Sequence, residues 1–264
     1  MIRKALVTVF WCAVVAAPLR ADLKYTTHTE MKPVAEAAPP APANPLVGMI
    51  GSQLIQQLLP GGPADTVYII GANGMRAEFV KGGMSGSPEG TVILMSSGGE
   101  VTQLNSKDKT YWKGTTTEMA ALLQSLGLRP EVTVTARDER ATIAGVRAAR
   151  SDFEINIPLP IPEPMRAQLP PGIPTAVSLA GEVWSATSPY EKYLALLSKA
   201  APLLGGLGMD KLSASGITMR QVTRSDLFGG QQLEMVVTQI GEESAAASLF
   251  AVPPDYREIP SPIK

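Results

Sequence analysis

The sequence predicts a mainly β (α+β) fold: a curved antiparallel sheet or incomplete barrel with about three helices packed over it. Three observations carry this expectation. Runs such as Glu131 to Arg137 (EVTVTAR) and Ala176 to Ala186 (AVSLAGEVWSA) alternate apolar with polar or small residues. Alternation at period two marks strands with one buried face. Asn-Gly and Gly-Gly pairs fall between such runs, where a tight hairpin needs positive φ. Gly (24) and Pro (23) are numerous, which suits many short elements joined by turns.

Residues 1–21 predict a signal peptide. Arg3 and Lys4 give the positive start, and Ala5 to Ala17 is an apolar run of 13 residues, short for a bilayer span. Leu19-Arg20-Ala21 is a tolerable cleavage site. Cys12 lies inside the apolar run, without the small upstream residues that a lipid-modified cysteine needs. Processing would remove the only cysteine and three of 23 basic residues, leaving 20 against 24 acidic ones, a net charge of −4. The expected location is therefore exported, periplasmic or extracellular, with a thiol-free domain held by packing.

Residues 22–264 are expected to form a single half-barrel domain, with a Pro-rich linker and helix insertion at 32–64. Asp22 to Met31 alternates and is rich in Thr, a first strand. The linker at 32–45 holds five prolines, and Leu46 to Leu59 has helical apolar spacing until Pro60 stops it. Thr66 to Ile70 and Met75 to Val80 flank Gly71-Ala72-Asn73-Gly74, a hairpin. Thr91 to Ser96 and Val101 to Asn105 flank Ser97-Gly98-Gly99-Glu100, a second one, and Asp108 to Lys113 is a further short strand. Thr115-Thr116-Thr117-Glu118 has capping-box spacing before a helix that Gly127 ends.

The remaining strands are expected at Glu131 to Arg137, Ala141 to Asn156 in one or two pieces, Ala176 to Ala186, Gly216 to Ser225, Gln231 to Ile240 and Ala247 to Val252. Asp138-Glu139-Arg140 reads as a charged hairpin turn. Residues 158–174 hold seven prolines and read as a rigid extended loop. Ser188-Pro189-Tyr190-Glu191 supplies a cap, a proline at the first helical position and a carboxylate, so a helix should run to about Leu204.

Composition excludes much chemistry. Lys+Arg (23) balances Asp+Glu (24), so no nucleic-acid footprint is present. One His and one Cys argue against most metal sites and against Ser-His-Asp or Cys-His catalysis, and they leave no intrachain disulfide framework. His28 reads as a surface or packing residue. Gly82-Gly83-Met84-Ser85-Gly86-Ser87 fails the phosphate-loop and dinucleotide patterns. No catalytic residues and no cofactor are expected.

What remains is apolar surface, with ten methionines beyond Met1 and Trp112 and Trp184 on strands. Methionine is flexible and suits surfaces that accept varied apolar partners, although it also fills ordinary cores. By strand parity the residues expected to line an apolar groove are Met75, Ala77, Phe79, Val92, Leu94, Val183 and Met235. The expected partner is a lipid, acyl chain or lipoprotein, with membrane association peripheral at most. The alternative is a structural or interaction protein of the envelope whose core is filled by its own side chains.

A set of local phrases runs through the chain in order. They are Gly74-Met75-Arg76, Lys109-Thr110-Tyr111, Thr142-Ile143-Ala144-Gly145-Val146, Gly181-Glu182-Val183-Trp184 and Leu249-Phe250-Ala251-Val252-Pro253-Pro254-Asp255-Tyr256. Their order resembles a secreted bacterial family, domain of unknown function 4412, over most of residues 22–257. The family is similar to the periplasmic lipoprotein carriers and their receptor relatives. The resemblance implies a sheet curled into an incomplete barrel, with helices over an apolar cavity. It supplies no catalytic residues. Pro254 departs from the pattern, where a turn-permissive residue is more usual.

Overall fold

In a computed structural model of the chain, residues 21–34, 62–83, 87–125, 130–158, 175–197, 211 and 216–262 are described. The expected signal at 1–21 (save Ala21), the helix at 46–59, the Pro-rich loop beyond Pro158 and the helix end near Leu204 lie outside them.

One open sheet of twelve strands organises the molecule, in the order β12-β6-β5-β4-β3-β2-β1-β11-β10-β9-β8-β7. It is built from two meanders. The first comprises β1 (Asp22–Pro33), β2 (Ala64–Gly71), β3 (Gly74–Lys81), β4 (Thr91–Met95), β5 (Glu100–Asn105) and β6 (Thr110–Thr115). The second comprises β7 (Glu131–Ile143), β8 (Val146–Pro158), β9 (Ala176–Ala186), β10 (Ile217–Arg224) and β11 (Gln231–Glu243). They join where β1 pairs with β11 along its whole length, from Asp22↔Glu243 to Pro33↔Gln231. Every ladder is antiparallel except the last, where β12 (Arg257–Glu258) runs parallel to β6. Among the described residues, neither β7 nor β12 finds a second neighbour, so the described sheet does not close.

Two α-helices are described, α1 (Thr116–Ser125) and α2 (Glu191–Leu197). The capping box opens α1: the Glu118 N–H donates to the Thr115 hydroxyl (3.1 Å) and the Thr115 N–H to the Glu118 carboxylate (2.8 Å). α2 starts later than the sequence suggests, because a turn in which the Tyr190 N–H reaches the Thr187 carbonyl occupies 187–190.

Two expectations are corrected. Asp138-Glu139-Arg140 is not a turn. These residues lie inside β7, where the register shifts between Ala136 and Arg140, and Glu139 reaches Arg150 on the neighbouring strand. The turn is Ala144-Gly145, both at positive φ (48° and 79°), which ends the ladder at Ile143↔Val146. Residues 247–250 form a 3-10 turn rather than a strand, and the chain pairs with the sheet only at 257–258.

Register sorts the side chains onto two faces. Leu23, Ile70 and Val237 on the helix face are buried in one cluster with Tyr190, Tyr193, Ile217 and Met219, all fully or almost fully buried. Tyr25 and Tyr68 stack there at 4.7 Å, and burial pushes the hydroxyl pKa of each upward. Met119 of α1 packs with Met95 and Val101 on the same face. A further cluster, Val132, Phe153, Ile155 and Val183, occupies the second meander. The other face is crossed by the C-terminal segment and is called the strap face below.

Candidate functional site

The seven apolar residues expected in one groove do not share a face. Met75, Ala77 and Phe79 pair across β2 with Ile70, Tyr68 and Thr66, and these in turn with Leu23, Tyr25 and Thr27. Val183 pairs with Gln221, Gln221 with Met235, and Met235 with Thr29. Opposed residues in a ladder point the same way, so these five stand on the helix face. Val92 pairs with Glu78 and Leu94 with Arg76, which puts both on the strap face. The parity slip has a simple cause. β4 is buried on both faces, so its apolar run carries no alternation to read.

On the helix face, Ala77, Phe79 and Val183 are buried, whereas Met75 and Met235 are partly exposed. Met31 and Leu233 pair beside Met235 and are also partly exposed. Met31, Leu233 and Met235 belong to none of the described buried clusters. They form an apolar band along the seam between the meanders.

On the strap face of the first meander, Val92, Leu94 and Leu104 make a buried cluster under Val252 and Tyr256, with Tyr111 at its edge. Residues 247–259 hold themselves there as a strap. Arg76 donates to the Leu249 carbonyl (3.0 Å), and Lys109 pairs with Asp255 (2.7 Å). The Tyr111 hydroxyl donates to Glu258 (2.9 Å). The N–H groups of Arg257 and Ile259 donate to the carbonyls of Lys109 and Tyr111. Between strap and sheet lies a hollow of about 250 Å³, lined among others by Leu94, Met95, Thr102, Lys113, Phe250 and Val252.

The strap face of the second meander is charged. Register places Glu30, Glu234, Glu182 and Asp152 in one row, with Val222 between Glu234 and Glu182. A neighbouring row carries His28, Arg220 and Arg150. Like charges along a row repel, and the two rows are knitted together by pairs. Arg220 bonds Glu234 (2.7 Å), Lys32 bonds both Glu234 (2.7 Å) and Glu30 (2.8 Å), and Arg150 bonds Asp152 (3.0 Å) and Glu182 (3.2 Å). Arg137 bonds Asp152 (2.7 Å). The electrostatics follow. The hydrogen bond from Arg137 holds the Asp152 carboxyl below its usual range, and that from Lys32 does the same for Glu30. Burial raises the Glu234 pKa, but Lys32 and Arg220 outweigh it and the net shift is downward.

His28 ends this lattice. Its Nδ1 lies 2.5 Å from Asp65 Oδ1, and its Nε2 3.7 Å from Glu30. A second hollow, about 330 Å³, opens among Thr133, Thr135, Arg137, Asp152, Glu182 and Arg224. Sequence reasoning missed the lattice, because its partners are scattered from residue 28 to residue 234 and meet only through register. Trp112 and Trp184 part company: Trp112 pairs with Gln103 near the sheet edge, while Trp184 packs against the main cluster.

Among the described residues, no group of three His, Cys, Asp or Glu could hold a metal ion, and no helix is long and apolar enough to cross a membrane. No protein family matches the chain, so the resemblance to domain of unknown function 4412 has no counterpart there. No curated protein matches it either. Among solved structures, the chain is similar to a LolA superfamily protein from Nitrosomonas europaea, at 7% identity over 89% of this chain and 91% of that one, with a TM-score of 0.28.

Proposed function

We propose that the protein is an exported, non-catalytic binding protein of the periplasm or cell exterior that takes up a lipid, an acyl chain or a lipoprotein on its helix face. One observation carries this reading: the partly exposed apolar band of Met31, Leu233 and Met235 along the seam. Two of its three residues are methionines, whose unbranched side chains adapt to an irregular apolar partner. Each methylene withdrawn from water there stabilises the complex by about 0.8 kcal/mol, so a short band suffices for useful affinity. In the charged lattice of the other face, Glu234, Asp152, Arg150 and Arg220 are occupied by one another and by Lys32, which supports a role without acid–base chemistry there.

A second reading has its own observation. Ala77 (6% exposed), Phe79 (8%) and Val183 (1%) are already covered, as a structural envelope protein with a filled core requires. Lipid extraction and native mass spectrometry of protein purified from membranes separate the two. The binding reading expects recovered lipid and a hydrophobic dye that brightens on the folded protein. A clean protein that leaves the dye dark while folded leaves only the second reading standing.

A further inference from the structure

We propose that the hollow between the strap and the first meander is a separate site for one alkyl chain of a zwitterionic single-chain amphiphile. This rests on the reading of the protein as a binder of apolar chains, but it places the chain on the opposite side of the sheet from the seam band.

The walls supply the apolar part. Leu94 comes from β4, and Phe250 and Val252 from the strap. At about 250 Å³ the hollow lies just below the range of ordinary small-molecule pockets, which suits one chain rather than a two-chain lipid. The rim supplies the polar part. Glu100 and Lys113 both line it. Lys113 pairs with Thr102, and Glu100 with Thr115, so the two charges project from the same face one pleat apart. Neither makes an ion pair among the described residues; Lys113 lies 5.5 Å from the Tyr111 ring. A carboxylate ligand would meet Glu100, and a simple ammonium ligand would meet Lys113. A head group with an anion and a cation answers both.

Access comes from the strap itself. Its ladder to β6 is two residues long, and its ion pair, Lys109 with Asp255, is exposed at both ends. Pairs of that kind contribute little. The 3-10 turn that carries Phe250 has no side-chain cap, and its neighbour Leu249 is 38% exposed. The strap can therefore lift at the hollow while Tyr256 stays seated on the Leu104 cluster.

The test uses dodecylphosphocholine below its micelle concentration, with dodecyl maltoside as the uncharged control. Binding is read by titration and by the methyl signals of ¹³C-methionine protein. Met235, on the other face of the sheet, should keep its signal unshifted on binding. Lys113→Glu should weaken dodecylphosphocholine by about five-fold or more and leave dodecyl maltoside unchanged. Thr102→Phe, which fills the hollow from an accessible strand position, should abolish both. Binding that shifts Met235 instead, and survives both substitutions, overturns this site and leaves the proposed function intact. Absence of binding by either amphiphile overturns this site as well. In that case lipid recovered from membrane-purified protein keeps the proposed function, and none recovered ends it too.

Discussion

The same face of one sheet is finished in two different ways. Over β3 to β6 it is apolar and needs a cover, which the strap provides with Val252 and Tyr256. Over β7 to β11 and the adjoining β1 it is a lattice of charges that needs no cover, because Glu234, Glu182 and Asp152 are each answered by a cation on their own or a neighbouring strand. The comparison teaches that the two meanders solve solvent exposure independently. The first relies on the hydrophobic effect and on chain from outside the meander. The second relies on electrostatics within it.

The largest effect should come from removing the cover. Truncation after Ala246 uncovers Val92, Leu94 and Leu104, each under 8% exposed in the intact protein. We expect a loss of about 3 kcal/mol or more, read from urea unfolding, together with a tendency to associate. Tyr256→Ala should lose about half as much. A truncated protein as stable as the full chain would mean that the strap covers nothing of consequence.

Breaking the lattice should cost less. Glu234, 11% exposed at its side chain, accepts from both Arg220 and Lys32. Glu234→Gln should cost about 1.5–3 kcal/mol, the range for a hydrogen bond to a charged group. Its pH dependence has a definite sign. A carboxyl whose folded pKa is lowered contributes stability above its unfolded value, near 4.3 for Glu, and loses it as pH falls through the folded value. The wild type should therefore weaken below about pH 4, and Glu234→Gln should weaken less steeply over that range. Equal slopes would remove Glu234 from the lattice's energetics.

The smallest effect lies at the tip of the β7–β8 hairpin. Ala144 sits at φ 48°, a region that L side chains populate with difficulty. Ala144→Gly should relieve that strain and stabilise by about 0.5 kcal/mol, measured as a small rise in the unfolding midpoint. A loss of stability would mean that the Ala methyl earns its place by packing.

The sequence and the fold agree where the signal is local. Asn73-Gly74 and the Thr115–Glu118 box act within four residues, and both behave as read. They fail where a neighbour decides. Asp138-Glu139-Arg140 has the composition of a turn, yet Arg150 and Asp152 on β8 hold that stretch in a strand. Val92 and Leu94 look like groove residues, but a strand buried on both sides has no polar face to reveal its orientation. Of the candidate site, five residues were assignable to one face from alternation alone. The strap could not be foreseen, since residues 247–256 meet β4 only in three dimensions.

The pairing of β1 with β11 has a consequence for biogenesis. Thr27 must find Val237, so the strand made first completes its bonding only after nearly the whole chain has emerged. Until then a twelve-residue edge stands unsatisfied beside β2, the kind of edge that recruits foreign strands. A chain threaded through a membrane from its N-terminus would carry that exposed edge across first. It would profit from a holding factor that shields residues 22–33 until the last long strand arrives.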